Sequence, residues 1–264
     1  MSAEDFAMRV EDLHVRYGRF EAVKGVSFAV RRGRCLGIAG ESGCGKSSLA
    51  RAILGLEPDA ASGRVWFGGM DVLRMGRAER RAFRRRAQIV FQDTYGSLNP
   101  RMKAGEAIAE VLRVHGLARG KEAAERAAGW LETVGLTPDY AERFPHEMSG
   151  GQRQRVNIAR ALCVGAELLV ADEPASALDV GMQAQIMNLL RRLQRERGIT
   201  WLLIGHDLAA MRYLADDLLV MREGRVVAQG DAAELLANPP HPYLRELLAA
   251  VPDVPRALAR RGAE

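Results

Sequence analysis

The first residues that could do chemistry form the run Gly40-Glu41-Ser42-Gly43-Cys44-Gly45-Lys46-Ser47, which fits the phosphate-binding pattern G-x-x-x-x-G-K-[ST]. Glycines allow backbone conformations and close approaches that a Cβ would block, so several N–H groups converge on one anion. We predict that Lys46 reaches the β- and γ-phosphates of a nucleotide and that the hydroxyl of Ser47 ligates Mg²⁺. The residues predicted to contact the nucleotide are Gly40, Ser42, Gly43, Cys44, Gly45, Lys46, Ser47 and Ser48.

A second pattern is an acidic pair, Asp172 and Glu173, directly after the apolar run Leu168-Leu169-Val170-Ala171. An acidic residue at the end of a buried strand holds Mg²⁺ directly or through water in phosphate-loop proteins. We therefore predict that Asp172 is a metal ligand and that Glu173 orients or deprotonates an attacking water. By itself, the pattern also fits a strand that ends in a solvated turn.

A third pattern is Ser149-Gly150-Gly151-Gln152, which precedes a helical run. Ser149 is a good N-cap, and the two glycines expose backbone N–H groups, so the segment predicts a second anion-binding helix start. One subunit does not need two such sites. The pair makes sense if this segment grips the γ-phosphate of a nucleotide held by another subunit, although the four residues alone fit an ordinary helix cap equally well.

The flanking sequence predicts the elements that position these residues. Cys35–Ala39 reads as a buried strand before the phosphate loop, and Ser48–Leu54 as a helix that Gly55 ends. Residues 104–136 read as helical, and the last third alternates strands and helices, which implies a parallel, covered sheet. Further strands are predicted in the N-terminal part at Met8–Leu13, Val26–Val30, Val65–Phe67 and Asp71–Leu73, and they suggest an antiparallel β subdomain.

Composition narrows the class of protein. The chain has 264 residues, of which 48% are hydrophobic, so a sizeable core is expected. No apolar run approaches the roughly 18 residues of a membrane helix, and no secretory signal opens the chain. The three cysteines, Cys35, Cys44 and Cys163, lack CxxC spacing, which fits a reducing cytosol.

The net charge is +5, and seven arginines lie between Arg74 and Arg86. We interpret this basic stretch as a solvated helix face. The functional alternatives are contact with acidic lipid, with an acidic partner surface or with nucleic acid. No interleaved aromatic residues support base stacking there.

With three such patterns in one chain, the sequence resembles the nucleotide-binding subunit of ABC transporters. Met148-Ser149-Gly150-Gly151-Gln152 matches the family motif LSGGQ, with Met in place of the usual Leu. The resemblance covers essentially the whole chain, with Gly205 where Ser is usual and Ala175 where Thr or Val-like residues are common. It implies an α/β fold with a P-loop NTPase (RecA-like) core, an antiparallel β subdomain and an inserted helical subdomain.

More site residues follow from the resemblance. Tyr17 lies where an aromatic residue stacks on adenine, and Gln92 matches a glutamine that contacts Mg²⁺ and the water and senses the membrane subunit. Asp179 matches the D-loop across the dimer, and His206 matches the switch histidine that contacts the γ-phosphate. The implied catalytic set is Glu173, His206 and Gln92, the implied metal ligands are Ser47, Gln92 and Asp172, and the implied signature contacts are Ser149, Gly150, Gly151 and Gln152.

A finer similarity points to the oligopeptide, dipeptide and nickel importer branch. It is carried by Phe91–Met102, by Ala177–Val180 with Gln183–Gln185, and by the ending from His241-Pro242-Tyr243 to Pro252. Many members of that branch carry a cysteine-rich extension that binds an iron–sulfur cluster. This chain lacks those cysteines, so we expect no iron–sulfur cluster. The cargo stays open between peptides and nickel or metallophore complexes.

The resemblance implies an ATPase that uses ATP and Mg²⁺ on the cytoplasmic face of the inner (plasma) membrane, as a peripheral subunit. Its implied partners are a second ABC ATPase subunit, identical or different, two transmembrane permease subunits and, indirectly, a periplasmic or extracellular solute-binding protein, with no nucleic acid. We expect one ABC ATPase domain over residues 1–264. Its expected parts are the core with the β subdomain at 1–95 and 160–238, the helical subdomain with the signature motif at 96–159, and a short C-terminal extension at 239–264.

Two other classes compete with this interpretation. Soluble ABC ATPases of DNA repair carry a long coiled-coil insertion, and those of translation usually hold two nucleotide domains in one chain; neither feature is present here. A regulatory nucleotide-binding module without turnover would not need Glu173 and His206. An importer ATPase is therefore the favoured interpretation.

Overall fold

The structure is a computed structural model that describes residues 5–250. The last part of the expected C-terminal extension, including Val251 and Pro252, lies outside the described residues, as do residues 1–4. The strands are β1 (Phe6–Tyr17), β2 (Phe20–Arg31), β3 (Cys35–Ala39), β4 (Ala61–Phe67), β5 (Met70–Asp71), β6 (Ala87–Val90), β7 (Leu168–Asp172), β8 (Thr200–Gly205), β9 (Asp217–Arg222) and β10 (Arg225–Asp231). The helices are α1 (Lys46–Ile53), α2 (Arg77–Arg86), α3 (Ala104–Val114), α4 (Gly120–Thr133), α5 (Gly150–Leu162), α6 (Val180–Arg197), α7 (Leu208–Leu214), α8 (Ala232–Ala237) and α9 (Pro242–Ala249).

Two sheets organise the fold. The antiparallel sheet has the strand order β2-β1-β4-β5. The second sheet has the order β10-β9-β3-β8-β7-β6, in which all neighbours are parallel except the β9–β10 hairpin. Strands β3 and β8 are buried along their whole length, as expected for central parallel strands covered on both faces. These sheets confirm the predicted α/β class with an antiparallel β part.

The register of the parallel strands brings the predicted site to one edge. Ala39 pairs with Gly205, Ile204 pairs with Asp172, and Ala171 pairs with Val90. The segments that follow β3, β8, β7 and β6 therefore leave the sheet side by side at its carboxyl edge. Ligands of open α/β sheets bind at this edge.

Helices α3, α4 and α5 come between β6 and β7 and form the predicted helical part. Ala123, Ala127 and Leu131 of α4 are buried, as the sequence pattern predicts, because they recur on one helical face. One hydrophobic cluster joins these helices to α6 and one face of the parallel sheet, and a second joins the antiparallel sheet to α1 and the other face. Over residues 5–250, no helix is both apolar and long enough to cross a bilayer.

Two local predictions need correction. The strand predicted at Asp71–Leu73 ends at Asp71, whose side chain accepts a hydrogen bond from the N–H of Leu73 and starts a 3-10 turn over Val72–Arg74. Aspartate side chains compete with strand pairing in this way. Helix α1 begins at Lys46 rather than Ser48, because Gly45 takes the N-cap position in a left-handed conformation.

Candidate functional site

The phosphate loop joins β3 to α1 and surrounds the buried ammonium group of Lys46. Lys46 is only 6% exposed, and its Nζ lies 2.7 Å from the carbonyl oxygens of Gly40 and Glu41. No carboxylate of residues 5–250 lies within ion-pair distance of this ammonium. A buried charge is stable when it is paired, so this arrangement fits an incoming anion such as a phosphate.

The glycines of the loop are required by its geometry. Gly40 has φ +155°, and a Cβ there would lie 2.3 Å from the carbonyl oxygen of Met221. Gly45 has φ +103°, and its Cβ would lie 2.3 Å from the carbonyl oxygen of Ala22. Both contacts are with backbone atoms, which cannot move aside as a flexible side chain would. The loop therefore keeps the close-packed shape that its sequence pattern predicts.

Two of the predicted metal ligands, Ser47 in the first turn of α1 and Asp172 at the end of β7, lie next to each other in the structure. The hydroxyl of Ser47 lies close to the carboxyl group of Asp172. Burial raises the pKa of Asp172 above its ordinary value, the nearby hydroxyl of Ser47 opposes this rise, and the neighbouring charge of Glu173 adds to it. A carboxylate oxygen and a hydroxyl oxygen brought together at a partly desolvated position fit Mg²⁺, which prefers oxygen ligands.

Glu173 and His206 form a pair beside this position. Oε1 of Glu173 lies 2.9 Å from Nδ1 of His206, and the Glu173 N–H donates to the carbonyl oxygen of Ile204 at 2.8 Å. Glu173 has φ +47°, a left-handed conformation that costs a non-glycine residue about 1–3 kcal/mol and that concentrates at functional sites. The side chain of Glu173 is 19% exposed and that of His206 is 61% exposed. A carboxylate held by an exposed imidazole at the sheet edge can orient and deprotonate a water.

Gln92 follows β6 at the same edge and is exposed. The segment behind it is tied to α5, since the Nδ2 of Asn157 approaches the carbonyl oxygen of Thr94 at 3.5 Å and Arg160 donates to the carbonyl oxygen of Ser97 at 2.5 Å. Aromatic residues lie close to Gln92 in sequence, and both Phe91 and Tyr95 are exposed. Gln92 is thus carried on a segment that contacts the helical part on one side and solvent on the other.

The Ser149–Gln152 segment forms the cap of α5. Ser149 Oγ accepts from the N–H of Gln152, and Gln152 Oε1 accepts from the N–H of Ser149 at 2.8 Å, which makes a capping box. Gln152 also donates to the hydroxyl of Tyr140 at 2.8 Å. Within residues 5–250, these bonds stay in the helical part and do not reach the phosphate loop.

The signature glycines pack against the start of α6. A Cβ on Gly150 would lie 2.9 Å from Cδ2 of Leu178, and one on Gly151 would lie 2.9 Å from Sδ of Met182. Asp179 caps α6, because its Oδ1 accepts from the N–H of Met182 at 2.9 Å. The signature segment and the Ser176–Asp179 segment therefore contact each other inside one subunit.

Tyr17 ends β1 beside the phosphate-loop helix. Its hydroxyl donates a hydrogen bond to Glu57. Burial is the main cause that raises the pKa of Tyr17 and the bond to Glu57 adds to the rise, whereas the nearby hydroxyl of Ser48 in α1 opposes it. The residue is 39% exposed. An exposed aromatic face next to α1 can stack on a base.

Three residues that support these segments were not identified from the sequence. Tyr140 holds Gln152, Gln154 donates to the carbonyl oxygen of Pro174 just after Glu173, and Tyr243 contacts the N–H of Glu41 in the phosphate loop. The sequence contains no local signal for Tyr140 or Gln154, because the partners lie 12 and 20 residues away. Tyr243 belongs to the His241-Pro242-Tyr243 run, which resembles the importer branch but had no predicted role.

Comparisons with known proteins identify the family to which the chain belongs. Residues 23–176 match the family described as ABC transporter. The chain is 49% identical over 237 residues to the oligopeptide transport ATP-binding protein OppF of Bacillus subtilis, covering 89% of this chain and 77% of that protein. It is 47% identical over 238 residues to a putative peptide import ATP-binding protein of Brucella ovis, covering 90% of this chain and 74% of that protein.

A solved structure extends the comparison to the fold. The dimeric, post-hydrolysis structure of the ATP-binding cassette MJ0796 bound to ADP and Pi superposes with a TM-score of 0.75 at 29% identity, covering 85% of this chain and 98% of that one. Because the superposition includes most of both chains, the similarity includes the strands and helices around the nucleotide-binding motifs as well as the motifs themselves. The arrangement found here is therefore that of ATP-binding cassettes.

Proposed function

Because this chain belongs to the ABC transporter family, we propose that it is the ATP-hydrolysing subunit that powers an importer of peptides. The observation that carries the proposal is the meeting, at one sheet edge, of the buried ammonium of Lys46, the Ser47–Asp172 pair and the Glu173–His206 pair. In this proposal, Lys46 binds a phosphate, Ser47 and Asp172 bind a metal ion, and Glu173 with His206 binds a water molecule.

Each residue of the edge has a proposed task. The loop amides and Lys46 bind the β- and γ-phosphates, and Ser47, Asp172 and Gln92 would hold Mg²⁺. When bound, Mg²⁺ neutralises charge on the phosphate oxygens. Glu173 orients and deprotonates the attacking water, and His206 turns from Glu173 to the γ-phosphate. The large exposed fraction of the His206 side chain leaves room for this turn.

The catalytic assignment is tested with Glu173→Gln. We expect the rate of ATP hydrolysis to fall at least a hundredfold, since general-base catalysis contributes roughly 10²–10⁴-fold. ATP affinity should remain, because the variant leaves the phosphate loop intact. Glu132→Gln, at an exposed position on α4, is the matched control and should hydrolyse ATP normally. A Glu173→Gln protein with the normal rate would remove Glu173 from this task.

We propose further that the ATP site is completed by a second ABC subunit, either a second copy or a sister subunit. The Ser149–Gln152 segment of one subunit would contact the γ-phosphate bound by the other, with Tyr17 stacking on adenine and Asp179 crossing between subunits. Two observations support this: within residues 5–250 the hydrogen bonds of the segment's capping residues join it to the helical part and not to the phosphate loop of its own chain, and the similar cassette MJ0796 is dimeric.

The contact between subunits is tested in size-exclusion measurements. Glu173→Gln should form dimers with ATP, because the nucleotide is bound but not hydrolysed. Glu173→Gln with Ser149→Glu should stay monomeric, because the carboxylate introduced at position 149 would face the negatively charged γ-phosphate. ATP-dependent dimers of this double variant would refute the contact.

The membrane partner is proposed to dock beside Gln92. An open groove of about 870 Å³ lies between α2, β6 and the end of α3, and four arginines of α2 line it, namely Arg77, Arg80, Arg81 and Arg84. None of the four forms an ion pair with a carboxylate of residues 5–250. Strand β6 leads from this groove into Gln92. We propose that an acidic segment of a permease subunit occupies it and that the chain thereby sits on the cytoplasmic face of the membrane.

The docking proposal is tested with Arg80→Glu/Arg84→Glu. This variant should hydrolyse ATP by itself at the normal rate but should no longer co-purify with the permease subunits. Arg195→Glu, at an exposed position in the last turn of α6, is the control. Normal permease binding by the doubly reversed variant would contradict the assignment of the groove.

Peptide cargo is supported by the names of the relatives, which are oligopeptide and peptide transport proteins. Reconstituted with permeases and the cognate binding protein, the complex should take up labelled oligopeptides and show peptide-stimulated ATPase activity. Stimulation by Ni²⁺ or a metallophore complex in place of peptide would favour the nickel-type alternative. Binding of DNA or ribosomes with no permease association would favour a soluble ABC ATPase instead.

A further inference from the structure

The helix α9 and the residue before it dock onto the parallel-sheet part of the fold. Tyr243 is 1% exposed and Leu244 is fully buried, and both belong to the same hydrophobic cluster as the sheet. His241 caps the helix, since its Nδ1 accepts from the N–H of Tyr243 at 3.2 Å. The His241-Pro242-Tyr243 run therefore specifies where α9 begins and turns one aromatic ring inward.

The hydroxyl of that ring reaches the phosphate loop. It accepts a hydrogen bond from the N–H of Glu41 at 2.9 Å. The carbonyl oxygen of the same residue accepts from Nζ of Lys46 at 2.7 Å. The backbone of Glu41 is thus held at its N–H by the hydroxyl of Tyr243 and at its carbonyl oxygen by the ammonium of Lys46.

Other contacts fix the position of the phenol and of the loop. The guanidinium of Arg222 lies 4.8 Å from the centre of the Tyr243 ring. Burial raises the pKa of Tyr243, and the bond from Glu41 opposes this rise. The N–H of Gly224, in the β9–β10 turn, donates to the carbonyl oxygen of Cys44 in the loop at 3.0 Å. Both the β9–β10 turn and α9 therefore hold the loop by hydrogen bonds.

These contacts affect nucleotide binding because the loop that they hold is rich in glycine. Glycine loses more conformational freedom on ordering than any other residue, and a loop that must order on binding loses affinity. Packing in the core needs only the ring of Tyr243, whereas contact with the loop needs its hydroxyl. We propose that Tyr243 is a positioning residue that holds the phosphate loop in its nucleotide-binding conformation. This proposal rests on the proposed function, in that it takes the loop to bind ATP.

The test compares Tyr243→Phe with wild type and with Tyr213→Phe. Tyr213→Phe also loses one hydroxyl bond, to Asn188 of α6, so it is a matched control outside the loop. We expect Tyr243→Phe to bind ATP about fivefold more weakly in calorimetric titration and to raise KM by a similar factor, as deletion of one hydrogen bond predicts. The kcat should change less than twofold, and amide exchange of residues 40–46 should accelerate.

Each outcome decides one question. Unchanged ATP affinity and loop exchange in Tyr243→Phe would overturn the positioning role, as would an equal loss in Tyr213→Phe. A lower unfolding midpoint with unchanged KM and unchanged loop exchange would assign Tyr243 to the core alone. Absence of ATP binding by wild type would instead overturn the proposed function, so the two failures are distinguishable.

Discussion

Alanine substitutions in the phosphate loop separate backbone strain from steric exclusion. Gly43 has φ +81°, and no atom lies within 4 Å of the position that a Cβ would take, whereas a Cβ on Gly40 would lie 2.3 Å from a backbone oxygen of Met221 and 2.7 Å from Sγ of Cys44. For Gly43→Ala we expect the cost of a left-handed alanine, about 1–2 kcal/mol. For Gly40→Ala we expect a larger cost, about 2–6 kcal/mol, because backbone strain of about 1–3 kcal/mol is joined by overpacking of about 1–3 kcal/mol.

The assay is urea unfolding of the nucleotide-free protein, so that contacts with phosphate do not contribute. Both substitutions change the unfolded chain in the same way, and the difference between them therefore reports the folded loop. Adding Cys44→Ala to Gly40→Ala removes the sulfur contact but leaves the Met221 carbonyl, so it should restore less than half of the loss. Equal unfolding free energies for Gly40→Ala and Gly43→Ala would refute the steric argument.

Three further perturbations test the surrounding structure. Arg86 and the hydrogen bonds it donates hold the pKa of Glu167 below its ordinary value, so the ionised carboxylate stabilises the fold above the ordinary pKa and this contribution is lost as the pH falls through the folded-state pKa. Glu167→Gln should lower the unfolding free energy by about 1 kcal/mol at neutral pH, after allowance for solvent screening, and match wild type in acid; a pH-independent difference would contradict this. Asp179→Ala should cost about 1 kcal/mol through loss of the α6 cap, while Asp179→Asn, which caps equally well, should cost only a few tenths in the same denaturation assay. Gly151→Ala should cost about 1–3 kcal/mol, and a double-mutant cycle should show at least half of it relieved by Met182→Ala; an additive cycle would mean that the Sδ contact is not the cause.

Local patterns predicted much of this structure correctly. The strand before the phosphate loop, the buried strand before Asp172 and the Ser149 cap all depend on residues within a few positions of one another. Periodicity and capping are short-range properties, so one sequence is enough to identify them. The strand predicted at Asp71–Leu73 was wrong because the side chain of Asp71 accepts a hydrogen bond from the N–H of Leu73 and so competes with strand pairing.

Contacts between distant segments were not predictable in the same way. The bond from Glu41 to Tyr243 joins residues 202 positions apart, and the pair of Glu173 and His206 joins residues 33 positions apart. The sequence motifs predicted that Glu173 and His206 belong to one site. The distance between their side chains and the left-handed backbone of Glu173 depend on the register of β7 and β8. For Tyr243, only the docking of α9 brings the hydroxyl to the loop.

The sequence by itself determined the chemistry available to this protein: a cation and amides for phosphates, oxygen ligands for a metal ion, and a carboxylate for water. Tertiary structure alone decided that Lys46 has no carboxylate partner within residues 5–250, that the carboxylate of Glu173 contacts the ring of His206, and that the hydroxyl of Tyr243 reaches the phosphate loop. The physical reason is that residue type sets what a group can bind, whereas strand register and helix packing set which groups lie within a few ångströms of each other.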